Sequence, residues 1–475
     1  MSVLPVGNHS ARVVVPDLSV EEQANLDELV AQWRMKRPRN NLRSAFYDMK
    51  NSARGLMGEN IPTVIRRRSF VLGWSANAVD KLNRRANLEG FYDVAGHNLS
   101  DLGLDDLVRD NRLYAEVSQA GIASMIHAVS WLVTTQGDTD AGEPEVLISG
   151  RDASSATGMW DRRRRALRSF LSIHAFDDDG EPTAMTLMLD NLNVSMVKEN
   201  GAWSVDRREH PYGVPVDPMR YKPRLDRDFG SSRITRAVMS IHSQALATMI
   251  RADVNGEAYS LPRYMLLGAN DTAFRNGDGS PKPTWQAAWD AVWAIGDDED
   301  ATNPRADVKQ FHGQSPEPQN AHLRMLAQMF SGETSIPIGE LGIIGDSNPT
   351  SAEALQVSRD DLIATAEQTT DDWSPDLSSA VTRALVMLNG DVPEDLDVRP
   401  QWRNPMHVSR AAAADAGSKV LEKMPWLAET EVGLELVGLT PDQIRRAQSE
   451  RRRAEGRSVL ASLRDVPDAG IDAAE

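Results

Sequence analysis

The sequence predicts an α+β protein in which long helices surround a small antiparallel β meander. Three observations lead to this prediction. Apolar residues recur every three or four positions in several long segments, which is the spacing of a buried helix face. Between residues 145 and 210 the apolar period shortens to two, which is typical of strands. Within that region Asn200-Gly201 is the strongest short signal for a hairpin turn.

The first predicted element is a helix that begins near residue 20. Ser19 precedes Glu21 and Glu22, which suits an N-terminal cap and an acidic first turn. The apolar face of this helix contains Leu26, Leu29, Val30 and Trp33. Pro38 has no backbone N–H to donate within a helix, so we expect it to break the pattern.

The segment Val117–Gly137 comes nearest to a membrane span, because His127 is its only titratable residue. Its polar side chains are Ser118, Gln119, Ser124, Ser130 and Gln136, together with two threonines. These make it too polar to span a bilayer, so we predict a buried helix and no membrane contact. Residues 1–16 lack the basic start and continuous apolar core of a secretory signal, which predicts a protein made in the cytoplasm.

The predicted meander is built from short runs with a period of two. These runs are Glu145–Ser149, Leu171–Phe176, Thr183–Leu189, Asn193–Lys198 and Trp203–Arg208. Asp178-Asp179-Gly180 suits a turn, and Asn200-Gly201 suits a two-residue hairpin.

A long helix is predicted after Ser231 and Ser232, either of which can cap it. Its stripe is formed by Ile234, Val238, Ile241, Ala245, Met249 and Ala252. Residues 262–315 then change character. There we predict a strand at Tyr264–Leu267, a turn at Asn276–Gly279, a short helix at Trp285–Ile295 and an acidic loop at Asp297–Asp300.

The remainder of the chain is predicted to be helical. The helices are Ala321–Phe330, Ser351–Glu367 continuing with an interruption at Pro375 to Asn389, Ser409–Leu421, and Pro441–Leu463. The chain has 475 residues and no cysteine, which excludes disulfides, cysteine-ligated metals and a cysteine nucleophile. Packing within the chain or between subunits must therefore stabilise the fold.

The formal net charge of −17 is concentrated in one part of the chain. Residues 1–260 contribute −2, residues 261–397 contribute −15, and residues 398–475 contribute 0. Because sequence-independent DNA affinity comes from neutralising phosphates, an acidic chain is not expected to wrap DNA tightly. The acidic zone is either a solvated helix face or a surface presented to an anionic partner that must not bind.

Two acidic clusters, Asp177–Asp179 and Asp297–Asp300, are either hard-cation sites or solvated turns. The nine histidines include no H-E-x-x-H pair, so no histidine-based metal site is predicted. Phosphate-binding loops, nucleophile elbows and dinucleotide fingerprints do not occur in the sequence. The three arginine runs, Arg66–Arg68, Arg162–Arg165 and Arg451–Arg453, are either solvated faces or contacts to anionic surfaces. No catalytic residue, cofactor or metal site is predicted.

Two strings point to a known family. Pro215–Ile234 reads Pro-Val-Asp-Pro-Met-Arg-Tyr-Lys-Pro-Arg-Leu-Asp-Arg-Asp-Phe-Gly-Ser-Ser-Arg-Ile and resembles the entry to the first stem helix in portal proteins of tailed bacteriophages. The second string combines Phe330–Pro337, Leu341–Ile343 and Asn348–Ala354, and resembles the portal branch of actinobacteriophages. The order of elements agrees over about residues 20–460.

The resemblance implies a portal fold assembled as a ring, usually of twelve subunits, at one capsid vertex. It implies a wing at 1–225, a first stem helix at 226–261, a clip at 262–315, a returning stem at 316–345, a tunnel helix region at 346–397, and a helical crown with a C-terminal tail at 398–475. The implied partners are double-stranded DNA, the terminase large subunit, a head-completion adaptor, and the major capsid and scaffold proteins. The implied location is the virion, after assembly in the host cytoplasm.

In this fold the acidic zone would lie beside the DNA channel. The candidate lining residues are Glu353, Asp360, Asp361, Glu367, Asp371 and Asp372. An acidic lining would repel DNA weakly at every position and let it slide. The alternatives are a metal-dependent nuclease that uses one of the two acidic clusters, or another minor capsid or scaffold protein.

Overall fold

The computed structural model describes residues 12–51, 55, 63–259, 263–267, 275–276, 278–281, 307–311, 315–342, 359–406 and 410–464. The described residues form two compact units. The first unit draws on residues 41–79 and 233–360, and the second on residues 7–40, 80–232 and 361–475. Helices and antiparallel strands occur in both units, which confirms the mixed α and β class.

The elements are as follows. The described helices are α1 (Val20–Tyr47), α2 (Thr63–Arg66), α3 (Trp74–Asn83), α4 (Leu104–Asp110), α5 (Leu113–His127), α6 (Arg236–Tyr259), α7 (Glu317–Thr334), α8 (Asp360–Asn389), α9 (Arg410–Lys423), α10 (Glu431–Leu436) and α11 (Pro441–Arg464). The described strands are β1 (Leu88–Asp93), β2 (Val129–Gln136), β3 (Val146–Asp152), β4 (Ala156–Asp161), β5 (Ala166–Phe176), β6 (Pro182–Leu189), β7 (Leu192–Glu199), β8 (Ala202–Glu209), β9 (Val216–Arg220), β10 (Arg263–Leu267), β11 (Asp307–Phe311) and β12 (Val398–Trp402). Short 3₁₀ helices lie at Ile338–Leu341 and Pro425–Glu429.

The predicted meander is confirmed as a five-stranded antiparallel sheet in the order β4-β5-β6-β7-β8. The hairpin between β7 and β8 has the predicted two-residue turn, in which Asn200 and Gly201 have φ values of +50° and +84°. The predicted first strand of the meander, Glu145–Ser149, corresponds to β3. This strand belongs instead to a separate sheet, in the order β3-β2-β9. Strand pairs β1-β12 and β10-β11 complete the described sheets.

Helix α1 begins with a capping box, and the predicted helix start after Ser19 is confirmed. The Glu22 amide donates a hydrogen bond to the Ser19 hydroxyl (3.2 Å), and the Ser19 amide donates to the Glu22 carboxylate (2.7 Å). The predicted break at Pro38 is wrong, because the helix continues to Tyr47. Trp33 is buried against the meander before the proline, and Asn40 after it donates to the Ala153 carbonyl (2.9 Å). Packing on both sides therefore outweighs the lost backbone hydrogen bond.

Glu22 also connects α1 to β8, and this contact makes a testable contribution to stability. The Arg207 Nε and Nη2 atoms each donate to the Glu22 carboxylate at 2.9 Å. These hydrogen bonds lower the pKa of Glu22 to about 2, while burial acts against them and Ser19 adds to the lowering. We expect Glu22→Gln to reduce the free energy of unfolding by about 2 kcal/mol at pH 7, as for other hydrogen bonds to charged groups.

The pH dependence of that loss has a definite sign. Since the folded-state pKa lies below the ordinary value of 4.5, the stabilisation by Glu22 is full above that value and disappears as pH falls through 2. Urea unfolding at pH 7 and pH 3 should therefore show a smaller difference between the native protein and Glu22→Gln at pH 3. Glu28→Gln is the matched control, because Glu28 pairs with the exposed Arg168 at 2.6 Å. A Glu22→Gln effect of equal size at both pH values would contradict the assignment.

The segment Val117–Gly137 is a helix followed by a strand, so the prediction of one continuous helix is wrong. α5 ends at His127, and Ala128 has a φ of +88° that turns the chain into β2. The β2 run Val-Ser-Trp-Leu-Val-Thr-Thr-Gln is rich in β-branched and aromatic residues, which favour a strand. Burial of the segment from Val129 to Thr134 is confirmed. Among the described residues, no helix has the length and apolar character needed to cross a membrane.

A tight loop follows β9 and includes most of the first family string. The Tyr221 amide donates to the Ala128 carbonyl (2.9 Å), and the Ser231 amide donates to the Tyr221 carbonyl (2.8 Å). Gly230 has a φ of +76°, and a Cβ atom there would lie 2.2 Å from the Tyr221 carbonyl oxygen. Only glycine fits this position without displacing the backbone.

Helix α6 begins later than predicted. The Ser232 hydroxyl donates to the Ile126 carbonyl (2.6 Å) and does not cap the helix. Thr235 accepts a hydrogen bond from the Val238 amide (3.2 Å) instead, so the predicted cap at Ser231 or Ser232 is wrong. The predicted apolar stripe is largely confirmed by the burial of Ile234, Val238, Ile241 and Ala245.

In the first unit α6 packs against α7, which confirms and extends the predicted helix Ala321–Phe330. Phe330 of α7 contacts Trp74, with ring centroids 5.3 Å apart. The buried guanidinium of Arg233 donates to the carbonyls of Ala78 and Thr334, the latter at 2.6 Å from Nη2. The Arg233 guanidinium thereby places a positive charge at the C-terminal end of α7, where it interacts favourably with the negative end of the helix dipole.

Four further predicted elements are confirmed and several lie outside the described residues. The strand at Tyr264–Leu267 corresponds to β10, and α9 and α11 correspond to the two C-terminal helices. The turn at residues 276–279 is present, since the Gly279 amide donates to the Asn276 carbonyl (2.9 Å). The predicted helix Trp285–Ile295, the acidic loop Asp297–Asp300 and the start of the helix at 351–358 lie outside the described residues.

Candidate functional site

Helix α8 contains most of the predicted acidic lining. It is unbroken from Asp360 to Asn389, so the predicted interruption at Pro375 is wrong. Trp373 and Leu377 are both buried on either side of the proline, and their packing keeps the helix continuous. Of the six candidate lining residues, Glu353 lies outside the described residues and the other five are on α8.

Three of these carboxylates share one exposed stripe. At about 100° per residue, Asp360, Glu367 and Asp371 project within about 40° of one another around the helix axis. All three are exposed, as is Asp361, which lies about 100° further around the helix. Asp372 is half-buried, and burial raises its pKa while a hydrogen bond from Gln368 (3.0 Å) acts against this. The structure therefore groups four candidates on exposed surface and turns Asp372 toward the interior.

No cation among the described residues neutralises this stripe. The only basic residue within α8 is Arg383, which pairs with the buried Asp217. Arg359, immediately before the helix, pairs with Glu340 at 3.2 Å. The three exposed carboxylates of the stripe therefore form no ion pair with the described residues.

The opposite face of α8 fixes the helix in the second unit. Trp373 lies against Gly121 of α5, where an added Cβ would be 2.8 Å from the indole ring. The Trp373 and Trp402 ring centroids are 6.2 Å apart. Large aromatic burial on one side and acidic residues on the other give α8 a defined orientation within this unit.

Two buried ion pairs join α8 to β9. Arg220 donates from Nε and Nη2 to the Asp376 carboxylate at 3.1 and 3.2 Å, and its guanidinium carbon lies 4.9 Å from the Trp160 ring centroid. Arg383 donates in the same two-pronged way to Asp217. Burial raises the pKa of Asp376 to about 7, and Arg220 acts in the opposite direction. Asp217 and Asp376 are 6% and 8% exposed, so each depends on its arginine for hydrogen bonds.

The sequence prediction did not include these ion pairs. Asp217 and Arg220 are in the first family string, but their partners are more than 150 positions away in the chain. The sequence does contain an indication of these ion pairs, since Asp217 and Arg220 are charged residues within an otherwise apolar strand. Charged side chains in a buried strand need partners of opposite charge.

The acidic cluster at Asp177–Asp179 is used as a turn. The Asp177 carboxylate accepts hydrogen bonds from the Asp179 and Glu181 amides at 3.1 and 2.8 Å. The second cluster, Asp297–Asp300, lies outside the described residues. Across the part of the chain that the structure describes, no group of three or more His, Asp or Glu side chains is arranged to hold a metal ion.

The three arginine runs have different surroundings. Arg68 pairs with Asp253 (2.6 Å) and Glu257 (3.1 Å) of α6. Arg162 and Arg164 form exposed pairs with Asp228 (3.0 Å) and Asp190 (3.2 Å) at the loop between β4 and β5. The third run lies on the exposed surface of α11.

Comparison of the sequence with known protein families identifies the family of this chain. The family model of phage portal proteins, SPP1 Gp6-like, matches residues 26–457. The chain belongs to this portal protein family. The resemblance read from the two strings is thereby confirmed, and the portal fold of helices and antiparallel sheets with it.

Two portal protein relatives come from phages of actinobacteria. The portal protein of Mycobacterium phage D29 is 25% identical over 405 residues, covering 83% of this chain and 81% of the relative. The portal protein of Mycobacterium phage L5 is 24% identical over 392 residues, covering 79% and 77%. Among solved structures, a chain in the neck of an empty gene transfer agent (GTA) particle, computed with C6 symmetry, has 14% identity and a TM-score of 0.40, covering 80% and 93%.

Proposed function

We propose that this portal protein forms a ring of twelve copies at one capsid vertex, through which double-stranded DNA is packaged and later ejected. The match to the portal family over residues 26–457 supports this proposal most strongly. No enzymatic step belongs to the proposal, because the family supplies a structural component of the particle. The terminase large subunit would dock on the ring during packaging and a head-completion adaptor afterwards, while the major capsid and scaffold proteins surround it.

The regions of the chain would divide this work. Residues 1–225 would form the wing, and α6 and α7 would lie in the two stem regions at 226–261 and 316–345. Residues 262–315 would form the clip that meets the terminase, and residues 398–475 the crown. Residues 346–397, which contain α8, would lie beside the channel.

The unneutralised stripe on α8 fits the handling of a moving polyanion. Duplex DNA has about one negative charge per 1.7 Å of axis, so a basic wall would bind it through many phosphates and stall it. Asp360, Glu367 and Asp371 would instead repel the duplex weakly from each subunit, and a ring would repeat this repulsion evenly around the axis. DNA would then have no preferred resting position in the channel.

Reversing part of the stripe tests this role. We expect Glu367→Lys/Asp371→Lys to leave ring assembly intact and to slow DNA packaging several-fold, because the new lysines attract phosphates. The measurement is the amount and length of DNA protected in particles assembled with the variant, alongside electron microscopy of purified rings.

The matched control reverses two exposed carboxylates elsewhere. Asp178→Lys/Asp179→Lys changes the charge equally at the turn between β5 and β6 and should package like the native protein. Normal packaging by the α8 variant would remove the channel role of the stripe. Monomers or filaments in place of rings for the native protein would contradict the portal assembly itself.

A further inference from the structure

The C-terminal helical segment Arg410–Arg464 buries few of its large apolar side chains. Among its described residues, only Gly417, Gly433 and Ile444 are buried. Soluble segments normally bury their largest apolar groups, because that burial offsets the entropy lost on ordering the chain. In this segment of three helices and a 3₁₀ helix, Ile444 is therefore the one large apolar side chain that is buried among the described residues.

Two glycines of this segment lie in close contact with the backbone of neighbouring elements. A Cβ on Gly433 of α10 would lie 1.8 Å from the Leu427 carbonyl oxygen in the 3₁₀ helix. A Cβ on Gly417 of α9 would lie 2.3 Å from the Leu436 carbonyl oxygen. Both glycines permit a close approach that any other residue would prevent, so the relative placement of α9, the 3₁₀ helix and α10 is fixed.

The large apolar side chains lie on the outside of this arrangement. Trp426 is 69% exposed and Val432 is 56% exposed, and Met424 and Leu436 are exposed as well. Val432 and Leu436 are four residues apart and share one face of α10. Four such residues within thirteen positions form an apolar surface on a rigid support, the arrangement expected of a protein contact. We call these four residues the apolar edge.

The same segment has surfaces of opposite charge. The end of α9 and the following 3₁₀ helix expose Glu422, Lys423 and Glu429, whereas α11 exposes Arg446, Arg452, Arg453 and Arg457 together with Glu450. None of these eight side chains forms an ion pair with the described residues. An acidic edge and a basic helix on one chain are complementary when two copies meet head to tail, which is the kind of contact that closes a ring.

We infer that the apolar edge is an interface between neighbouring copies of this chain, in which Trp426 packs against the next subunit and the Glu422 and Glu429 carboxylates meet the arginines of its α11. This inference rests on the proposed ring and adds the residues that hold its subunits together. A second copy is the favoured occupant because each chain supplies both halves of the charge pairing.

The predicted packing of Trp426 against the next subunit is tested with a matched pair of variants. Trp426→Glu places a charge where a neighbour should exclude water and is expected to abolish the ring peak in light scattering, leaving species near the chain mass of 52.3 kDa. Met35→Glu changes a residue of α1 that is similarly exposed, at 73%, and should leave the rings unchanged. Circular dichroism shows whether each variant remains folded, and a folded Trp426→Glu chain that still forms rings overturns the inference.

The predicted charge pairing is tested by reversing the acidic residues in one variant and the arginines in another. Comparing each variant alone with their mixture distinguishes contacts between copies from contacts within one copy. Variant one is Glu422→Arg/Glu429→Arg, and variant two is Arg452→Glu/Arg453→Glu. Each alone places like charges across the contact and should lose rings. Mixed in equal amounts, they restore opposite charges at every contact of an alternating ring, so rings should return.

The outcomes separate this inference from the proposed function. Native rings together with rings of each single variant would overturn the interface and leave the portal assignment standing. Loss of rings in each variant without recovery in the mixture would also overturn it, since the charges would then act within one chain. A native protein that forms no rings would contradict both.

Discussion

Replacing Arg220 by alanine is expected to lower the free energy of unfolding by about 3–5 kcal/mol, which is the usual result of leaving a buried charge without its partner. Asp376 receives two hydrogen bonds from Arg220 and is 8% exposed, so water cannot replace the lost donors. Removal of the guanidinium also withdraws the opposing charge that limits the rise in the pKa of Asp376. Urea or thermal unfolding of the purified chain measures the loss.

Two further variants make the result specific. Arg164→Ala removes an exposed ion pair to Asp190 (3.2 Å) and should change stability by less than about 1 kcal/mol. Arg220→Leu/Asp376→Leu removes both charges and should recover most of the stability lost in Arg220→Ala. A double variant as unstable as Arg220→Ala would mean that the unpaired carboxylate of Asp376 is not what destabilises the single variant.

Gly230→Ala is expected to be destabilising by about 3 kcal/mol or more. A non-glycine residue at a φ of +76° costs about 1–2 kcal/mol, and the new methyl group would also lie 2.2 Å from a backbone oxygen that the loop cannot move freely. The Tyr221 carbonyl receives the Ser231 amide, so shifting it disturbs the connection into α6. The measurement is the unfolding midpoint in urea at constant slope.

Gly201→Ala provides the control for backbone strain alone. Gly201 has a similar φ of +84°, and nothing lies within 4 Å of an added Cβ there. Its loss should be about 1–2 kcal/mol, and the excess at Gly230 measures the steric part. Equal losses at the two glycines would show that the close approach to Tyr221 has no energetic weight.

Local sequence signals were sufficient where one short stretch determines its own structure. The helix start at Ser19 and the Asn200-Gly201 hairpin depend on neighbouring residues and were predicted correctly. Pro38 and Pro375 were expected to end helices because the local cost of proline is clear, yet distant packing outweighs it at both positions. Asp360, Glu367 and Asp371 are exposed, but a role in lining a channel stays a prediction, and the pairing of Asp376 with Arg220 depends on a contact far along the chain.

The interleaving of the two units has a consequence for how the protein is made. Residues of the second unit come from three separate stretches, and the last of them begins at residue 361. Until a ribosome has synthesised α8, Asp217 and Arg220 lack their ion-pair partners and the Gly121 surface of α5 has no tryptophan to cover it. The second unit can therefore complete its core only after more than three quarters of the chain has been synthesised.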